Sequence, residues 1–317
     1  MARGLLRASP AAAVLFAQVG AAQAGAFVLN AGGELDDESG YRVDAGIVWL
    51  PVKTTWLSLQ LSQADSSTDL ADFVTSHAVA SIDHRFGMIG LSLEGRLREE
   101  EDFLEARTVA GSIYLDTAGW RFSAMAETRA SEFEPQTFSD VVMTRGGVPL
   151  TVSATSQCSL DNIAYGVSAS YAFGAWRVAG SGLQFDYDDA ECALTDVTPP
   201  SFERSQRVGP RVLPQVAPRL DAFEALHRST VTRDSAFLDA TVSLSVGYEE
   251  GERLWDLTWY RDREQFADIE SDTLIGAVTL PLTERTDVEL RLGATDSDLA
   301  GTVGFAGVSV FLYLGSL

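Results

Sequence analysis

Leu57-Ser58-Leu59-Gln60-Leu61-Ser62 decides the fold. Apolar and polar residues alternate without a break. That is the period of an extended strand, whose successive side chains point to opposite faces. The same alternation recurs along the chain between clusters of turn-forming residues. Ile89, Leu91, Leu93 and Leu97 share a face, as do Leu238, Ala240, Val242, Leu244 and Val246, and then Val288, Leu290 and Leu292. The opposite faces carry Ser92, Glu94, Arg96 and Arg98; Asp239, Thr241, Ser243 and Ser245; Asp287, Glu289 and Arg291. Segments of about nine to eleven residues with one apolar and one polar face match strands that cross a bilayer as parts of a closed barrel.

Fourteen segments are expected, near 26–35, 41–51, 56–64, 74–86, 88–98, 104–116, 120–131, 162–173, 176–187, 237–249, 253–262, 273–281, 286–295 and 302–314. The first is the least regular, so twelve is the competing count. The connections at Phe86-Gly87, Thr117-Ala118-Gly119, Gly174-Ala175, Glu250-Gly251-Glu252 and Thr283-Glu284-Arg285 are short. Those between them are longer, and two are very long, near 132–161 and 188–236. Bacterial membrane barrels keep short turns on the periplasmic side and long loops outside. The alternation therefore predicts an all-β, up-and-down antiparallel transmembrane barrel with both termini periplasmic. About fourteen strands enclose a space too wide for apolar side chains to fill, so the polar faces are expected inside and the apolar faces against lipid.

The N-terminus agrees with export. Arg3 and Arg7 precede the apolar run Ala11-Ala12-Ala13-Val14-Leu15-Phe16-Ala17, and Ala22-Gln23-Ala24 is a small-x-small cleavage site. Residues 1–24 are expected to be a signal peptide and 25–317 a single barrel domain. No stretch approaches eighteen uninterrupted apolar residues, which argues against membrane-spanning helices. The net charge of −22 becomes −24 once Arg3 and Arg7 are removed. That acidity argues against nucleic acid as a partner. Three histidines in the chain make a histidine-based metal centre a poor expectation, and no cofactor is implied.

Trp49, Trp56, Phe86, Trp120, Phe173, Trp176, Tyr248, Trp255 and Tyr313 sit at segment ends, where aromatic girdles form at membrane–water interfaces. The last segment, Gly304-Phe305-Ala306-Gly307-Val308-Ser309-Val310-Phe311-Leu312-Tyr313-Leu314, resembles the C-terminal signal of bacterial outer-membrane barrels, although the chain closes on Gly315-Ser316-Leu317 and not on an aromatic residue. Nearly the whole mature chain resembles the porin-like class of Gram-negative outer-membrane β-barrels. The resemblance implies an outer-membrane location. It also implies membrane lipid and lipopolysaccharide as neighbours, and the barrel assembly machinery as a partner.

Three groups of residues are candidates for a role. Folding the segments about Gly174-Ala175 puts Cys158 opposite Glu191, one residue from Cys192, so a disulfide between Cys158 and Cys192 is expected at the outer mouth. Such a bridge is worth about 3–4 kcal/mol in the chain-entropy model. In the lumen, Arg85, Arg96, Arg98, Arg121 and Arg129 are expected on one wall, and Asp239, Asp256, Asp262, Asp287 and Glu289 on the other. Opposed walls create a transverse field of the kind found at porin constrictions; the alternative is that these charges pair along and across strands. Exposed pairs in a wet lumen would be worth about 0–1 kcal/mol each. Finally, Arg204, Arg207, Arg211 and Arg219 in the 188–236 connection are candidates to fold inward and narrow the bore.

The acidic clusters Asp36-Asp37-Glu38, Glu99-Glu100-Glu101-Asp102 and Asp296-Ser297-Asp298 lack the spacing of a calcium loop and read as solvated charge. No Ser–His or Asp–His pair occurs at i, i+2 around His77, His84 or His227, so no catalytic residue is expected. The expected function is a passive outer-membrane channel for small polar or charged solutes. The alternatives are a plugged barrel serving as a receptor or as a partner of an export or assembly machine, and a lipid-modifying outer-membrane enzyme.

Overall fold

The structure, a computed structural model, describes residues 26–37, 40–52, 54–67, 72–100, 104–143, 149–188, 191–198, 237–251, 253–264, 270–298 and 301–314. The expected signal peptide and the arginines Arg204, Arg207, Arg211 and Arg219 lie outside the described residues.

Sixteen strands make one antiparallel sheet: β1 (Ala26–Asp36), β2 (Tyr41–Val52), β3 (Thr55–Ser67), β4 (Asp72–Phe86), β5 (Ile89–Glu100), β6 (Leu104–Thr117), β7 (Trp120–Phe133), β8 (Gln136–Met143), β9 (Pro149–Phe173), β10 (Trp176–Tyr187), β11 (Glu191–Thr198), β12 (Leu238–Glu250), β13 (Arg253–Glu264), β14 (Glu270–Thr283), β15 (Thr286–Ser297) and β16 (Gly301–Leu314). All but β8 and β11 close into a fourteen-strand barrel. The seam is β1 against β16, from Phe27↔Leu314 to Asp36↔Phe305. β10 lies between β9 and β12. Every expected segment is one of these fourteen strands. The irregular first segment is fully paired on both edges, which rules out the count of twelve. Closure leaves the barrel proper without an open edge.

The short connections all lie at one end. Turn-to-strand backbone bonds run between neighbouring hairpins there, from Arg85 N to Thr54 O, Asp116 N to Met88 O, Ala172 N to Gly119 O and Glu249 N to Ala175 O. Tyr313 N donates to Arg285 O, so the C-terminal strand ends at the turn end too, beside the start of β1. The β6–β7 turn takes positive φ at both central residues, Ala118 (45°) and Gly119 (86°). That backbone matches the twist of the flanking strands but puts alanine in a region L-residues rarely adopt.

The two long connections contain structure the alternation did not reveal. β8 and β11 flank the first half of β9, making a three-stranded flap that continues the wall beyond the loop end. At about 3.3 Å per residue the part of β9 beyond the barrel adds roughly 30 Å. The flap also corrects the cysteine register. Tyr187 pairs with Asn162, but Glu191 pairs with Ser159, so one extra residue enters between β10 and β11. The extra residue brings Cys192 directly opposite Cys158, where Glu191 was expected.

Outward positions hold the apolar residues. Ile82, Leu91, Leu93, Leu97, Val109, Ile113, Phe122, Val167, Val242, Leu244, Val246, Leu257, Leu290, Leu292 and Val308 are all exposed. No soluble protein leaves such a continuous apolar surface in water; it faces lipid. Seven of the expected girdle residues point outward at the turn end, and Phe27–Trp49, Trp120–Tyr171, Tyr171–Phe173 and Trp176–Tyr248 form ring contacts there. Trp56 and Tyr313 are exceptions. They pair in the ladder with the inward Asp83 and Val28, so they face the lumen.

Candidate functional site: the lumenal wall

The inward face is mostly polar, with apolar clusters confined to the loop end and single aromatic rings laid against the wall. It carries hydroxyl pairs bonded across strands: Ser58–Ser81, Ser123–Ser168, Ser181–Ser243 and Thr273–Thr295. Each pair satisfies its neighbour, and the three serine pairs leave polar atoms for water, whereas Thr273 and Thr295 are buried. Two large aromatics are held flat against the wall by inward glycines. The Tyr114 ring occupies the space over Gly90, and the Phe305 ring that over Gly293, so that a Cβ at either glycine would overlap a ring. Tyr114 donates to Asp83 Oδ1 at 2.8 Å, which fixes the ring there.

Of the ten residues expected in the lumen, nine occupy inward ladder positions. On β4–β7 these are Arg85, Arg96, Arg98, Arg121 and Arg129, and on the other side Asp256, Asp262, Asp287 and Glu289. Asp239 does not. The register shifts between Leu238 and Ala240, leaving Asp239 in a bulge. It accepts from Gln184 Nε2 at 3.0 Å and Arg263 Nε at 2.6 Å, both on the outward face. A single extra residue inverts side-chain direction, which strict alternation cannot anticipate.

The arginine wall is not a bare positive surface. Its five arginines alternate with five inward carboxylates, Asp83, Glu94, Glu100, Asp116 and Glu127. Arg96 pairs with Glu94 and, at 3.4 Å, with Glu127. Arg98 Nε donates to Glu100 at 2.7 Å, and Arg129 lies 3.5 Å from Glu127. At the turn end Arg121 binds Asp116 through two nitrogens, at 2.6 and 2.9 Å, and Arg85 joins the same carboxylate at 3.4 Å. Pairing, not an unopposed wall, is thus what β4–β7 present. The sequence carried a signal for it. Glu94/Arg96, Arg98/Glu100, Glu127/Arg129 and Glu289/Arg291 are i, i+2 pairs, which share one face of a strand.

The two ends of that wall differ in burial. Arg98 and Arg129 are 6% exposed and Glu100 2%, whereas the Arg85 and Arg121 side chains are 41% and 51% exposed. Inward apolar residues account for part of this. Leu104, Leu160 and Phe237 cluster at the loop end with Phe133 and Tyr187, and Phe133 stacks on Phe237 at 5.8 Å. Ala164, Phe185 and Leu238 form a second cluster beside them, and Arg129 lies 5.9 Å from the Phe185 ring. The expectation that lumenal pairs are exposed and worth little therefore fails at the loop end.

The remaining wall, from β10 through β16 to β2, is acidic. Glu34, Asp36, Asp44, Glu249, Asp256, Asp262, Glu264, Asp287 and Glu289 occupy inward positions with Arg42, Arg177 and Arg291, a surplus of six carboxylates among the described residues. Arg291 is shared by Glu289 at 2.9 Å and Glu34 at 3.9 Å. Arg177 reaches Asp256 at 3.5 Å across Gly247, which has no side chain to block the contact. Asp287 accepts from Tyr313 at 2.8 Å. His77 faces the lumen opposite Ser62 and Arg98, whereas His84 faces outward and bonds Thr55 at 2.8 Å. No cluster suited to hold a metal ion occurs among the described residues.

Neither a family model nor a curated protein sequence matches the chain. Solved structures do. The CymD monoaromatic hydrocarbon channel superimposes with a TM-score of 0.51 at 8% identity, over 93% of this chain and 89% of that one. The fold is that of a porin-like outer-membrane β-barrel. OmpTdeltaL8, a loop-deletion mutant of an outer membrane protein of Vibrio cholerae, gives a TM-score of 0.43 at 10% identity over 92% and 98% of the chains. An anion-selective porin from Comamonas acidovorans gives 0.39 at 10% identity over the same shares. The barrel's exposed apolar band is the surface that meets lipid.

Proposed function

We propose that this barrel is a passive outer-membrane channel for small polar or charged solutes. One observation carries the reading: a closed ring of fourteen strands turns an apolar face outward and a hydroxylated, ionised face inward. Charged side chains are placed inside a membrane protein at a cost that an aqueous pathway relieves. A channel also occurs among the proteins that share the fold. Chemistry is not part of this reading, and no residue is assigned a catalytic role. The turn end and both termini face the periplasm in this reading, and the flap faces the exterior beside lipopolysaccharide. Residues 1–24 direct export, and the barrel assembly machinery inserts the mature chain.

Single-channel recording in a planar bilayer tests it. Discrete conductance steps from the folded protein are expected, and larger steps after deletion of residues 199–236 if the arginines there narrow the bore. A folded, inserted barrel with no conductance in either form would remove the channel reading. A second reading, a surface receptor, is favoured by the packing of Leu104, Phe133, Leu160 and Phe237 at the loop end and by the projecting flap. It would be the better account of a silent barrel.

The register of Cys158 and Cys192 supports a disulfide that staples the flap at its base. Thiol labelling of the denatured, unreduced protein is expected to find no reactive thiol. Two reactive thiols would exclude the bond.

A further inference from the structure

We propose that the bore favours cations and solutes bearing a positive group, and that the acidic wall of β15, β16, β1 and β2 sets the preference. The inference rests on the channel reading and names the class of solute it admits. Its basis is an inequality between two walls. On β4–β7 every arginine is held in an ion pair, so an anion entering the bore must compete with a carboxylate already in place. On the wall of β15, β16, β1 and β2 carboxylates outnumber arginines, with Glu34, Asp36, Asp44, Asp287 and Glu289 at inward positions against Arg42 and Arg291. Arg291 is already shared between Glu34 and Glu289 and also donates to Ser309 at 2.9 Å. Asp44 and Asp287 have no arginine or lysine within ion-pair distance among the described residues. Asp287 is bonded by the neutral Tyr313 hydroxyl. The Asp44 carboxylate lies beside Gly32, where an added Cβ would sit 3.0 Å from Oδ1; the glycine leaves that oxygen room.

An ionised carboxylate has about four lone-pair sites, and a single hydroxyl leaves most of them unfilled. A cation or an ammonium group passing this wall completes them. Low-dielectric walls focus such a field along the bore, so a surplus of carboxylates on one side is felt across it. Paired charges on β4–β7 act as a dipolar, nearly neutral backing and do not cancel the surplus.

Reversal potentials of the full-length, folded protein in a planar bilayer under a potassium chloride gradient decide the matter. The wild-type bore is expected to be cation-selective, more so at low salt, where the screening length grows from about 10 Å at 0.1 M to about 30 Å at 0.01 M. Replacing Asp44→Asn and Asp287→Asn together should lower the cation-to-anion permeability ratio by about twofold or more at low salt. Asp161→Asn removes a charge from an outward position of β9 and should leave the ratio unchanged. Heat-modifiable migration verifies that each variant folds. An anion-selective or unselective wild-type bore would overturn the proposal, as would a ratio that ignores the double change or falls equally with Asp161→Asn. A folded barrel without conductance is a different failure: it removes the channel reading itself, and the preference with it.

Discussion

Two arginine–carboxylate clusters lie on the same four strands, β4–β7, yet their surroundings make them different devices. At the turn end Arg85 and Arg121 share Asp116 in contact with water. At the loop end Arg98 and Arg129 hold Glu100 and Glu127 away from it. The first cluster is open to water and free to exchange its partners. The second is part of a packed wall, where charge is retained because its partner is present. The turn-end cluster is two arginines from β4 and β7 on one aspartate of β6, and the loop-end pairs are Arg–Glu at i, i+2 along a strand; solvent access then separates the wet ion pair from the structural ones.

That comparison breaks most easily on single neutral substitutions. Arg98→Gln leaves Glu100 buried without its pair and is expected to cost about 3–5 kcal/mol, the usual penalty for removing one partner of a buried pair. Arg121→Gln at the wet end should cost only about 0–1 kcal/mol. Urea unfolding of the inserted barrel measures both. Equal losses would mean that the two ends are equally hydrated.

A smaller effect comes from changing the medium and not the partner. Leu244→Arg places a cation on the lipid face of β12 and should lose about 2–4 kcal/mol near the membrane midplane, whereas Ser243→Arg, one residue away, enters the bore and should assemble normally. If Ser243→Arg proves the more damaging, the inward and outward faces are inverted.

Smaller again is the effect of Gly90→Val. A branched side chain displaces the Tyr114 ring from its glycine niche toward the bore. Overpacking of this kind costs about 1–3 kcal/mol. Its sharper sign is a reduced single-channel conductance, since the ring would stand further into the lumen. Unchanged conductance would place the narrowest point elsewhere, most simply at the packed loop end.

Much of this barrel was legible in the sequence because lipid imposes a period. Leu57, Leu59 and Leu61 must all face the bilayer, and the register of β3 follows from that alone. Where the lipid constraint ends, the legibility ends. β8, the first half of β9 and β11 lie off the fourteen-strand ring inside the two long connections, and although Leu150-Thr151-Val152-Ser153-Ala154 alternates, nothing local marks it as the centre of a flap. The bulge that turns Asp239 outward and the extra residue before Glu191 are each one-residue events, invisible to a period of two. The carboxylate partners of the lumenal arginines are legible too: Glu94, Glu100 and Glu127 lie two residues from Arg96, Arg98 and Arg129, at the same inward parity. Burial at the loop end depends on contacts distant in sequence, such as Phe237 with Leu104 and Leu160, which no local pattern reveals.

The most direct test of the account is thiol accessibility along β12. Ser243→Cys, Leu244→Cys and Ser245→Cys are made one at a time, and the folded barrel in lipid vesicles is treated with a membrane-impermeant thiol reagent. The inward positions 243 and 245 are predicted to react and the outward position 244 to be protected, because the polar face lines water and the apolar face meets lipid. Reaction at 244 with protection at 243 and 245, or protection at all three, would contradict a water-filled bore bounded by these strands.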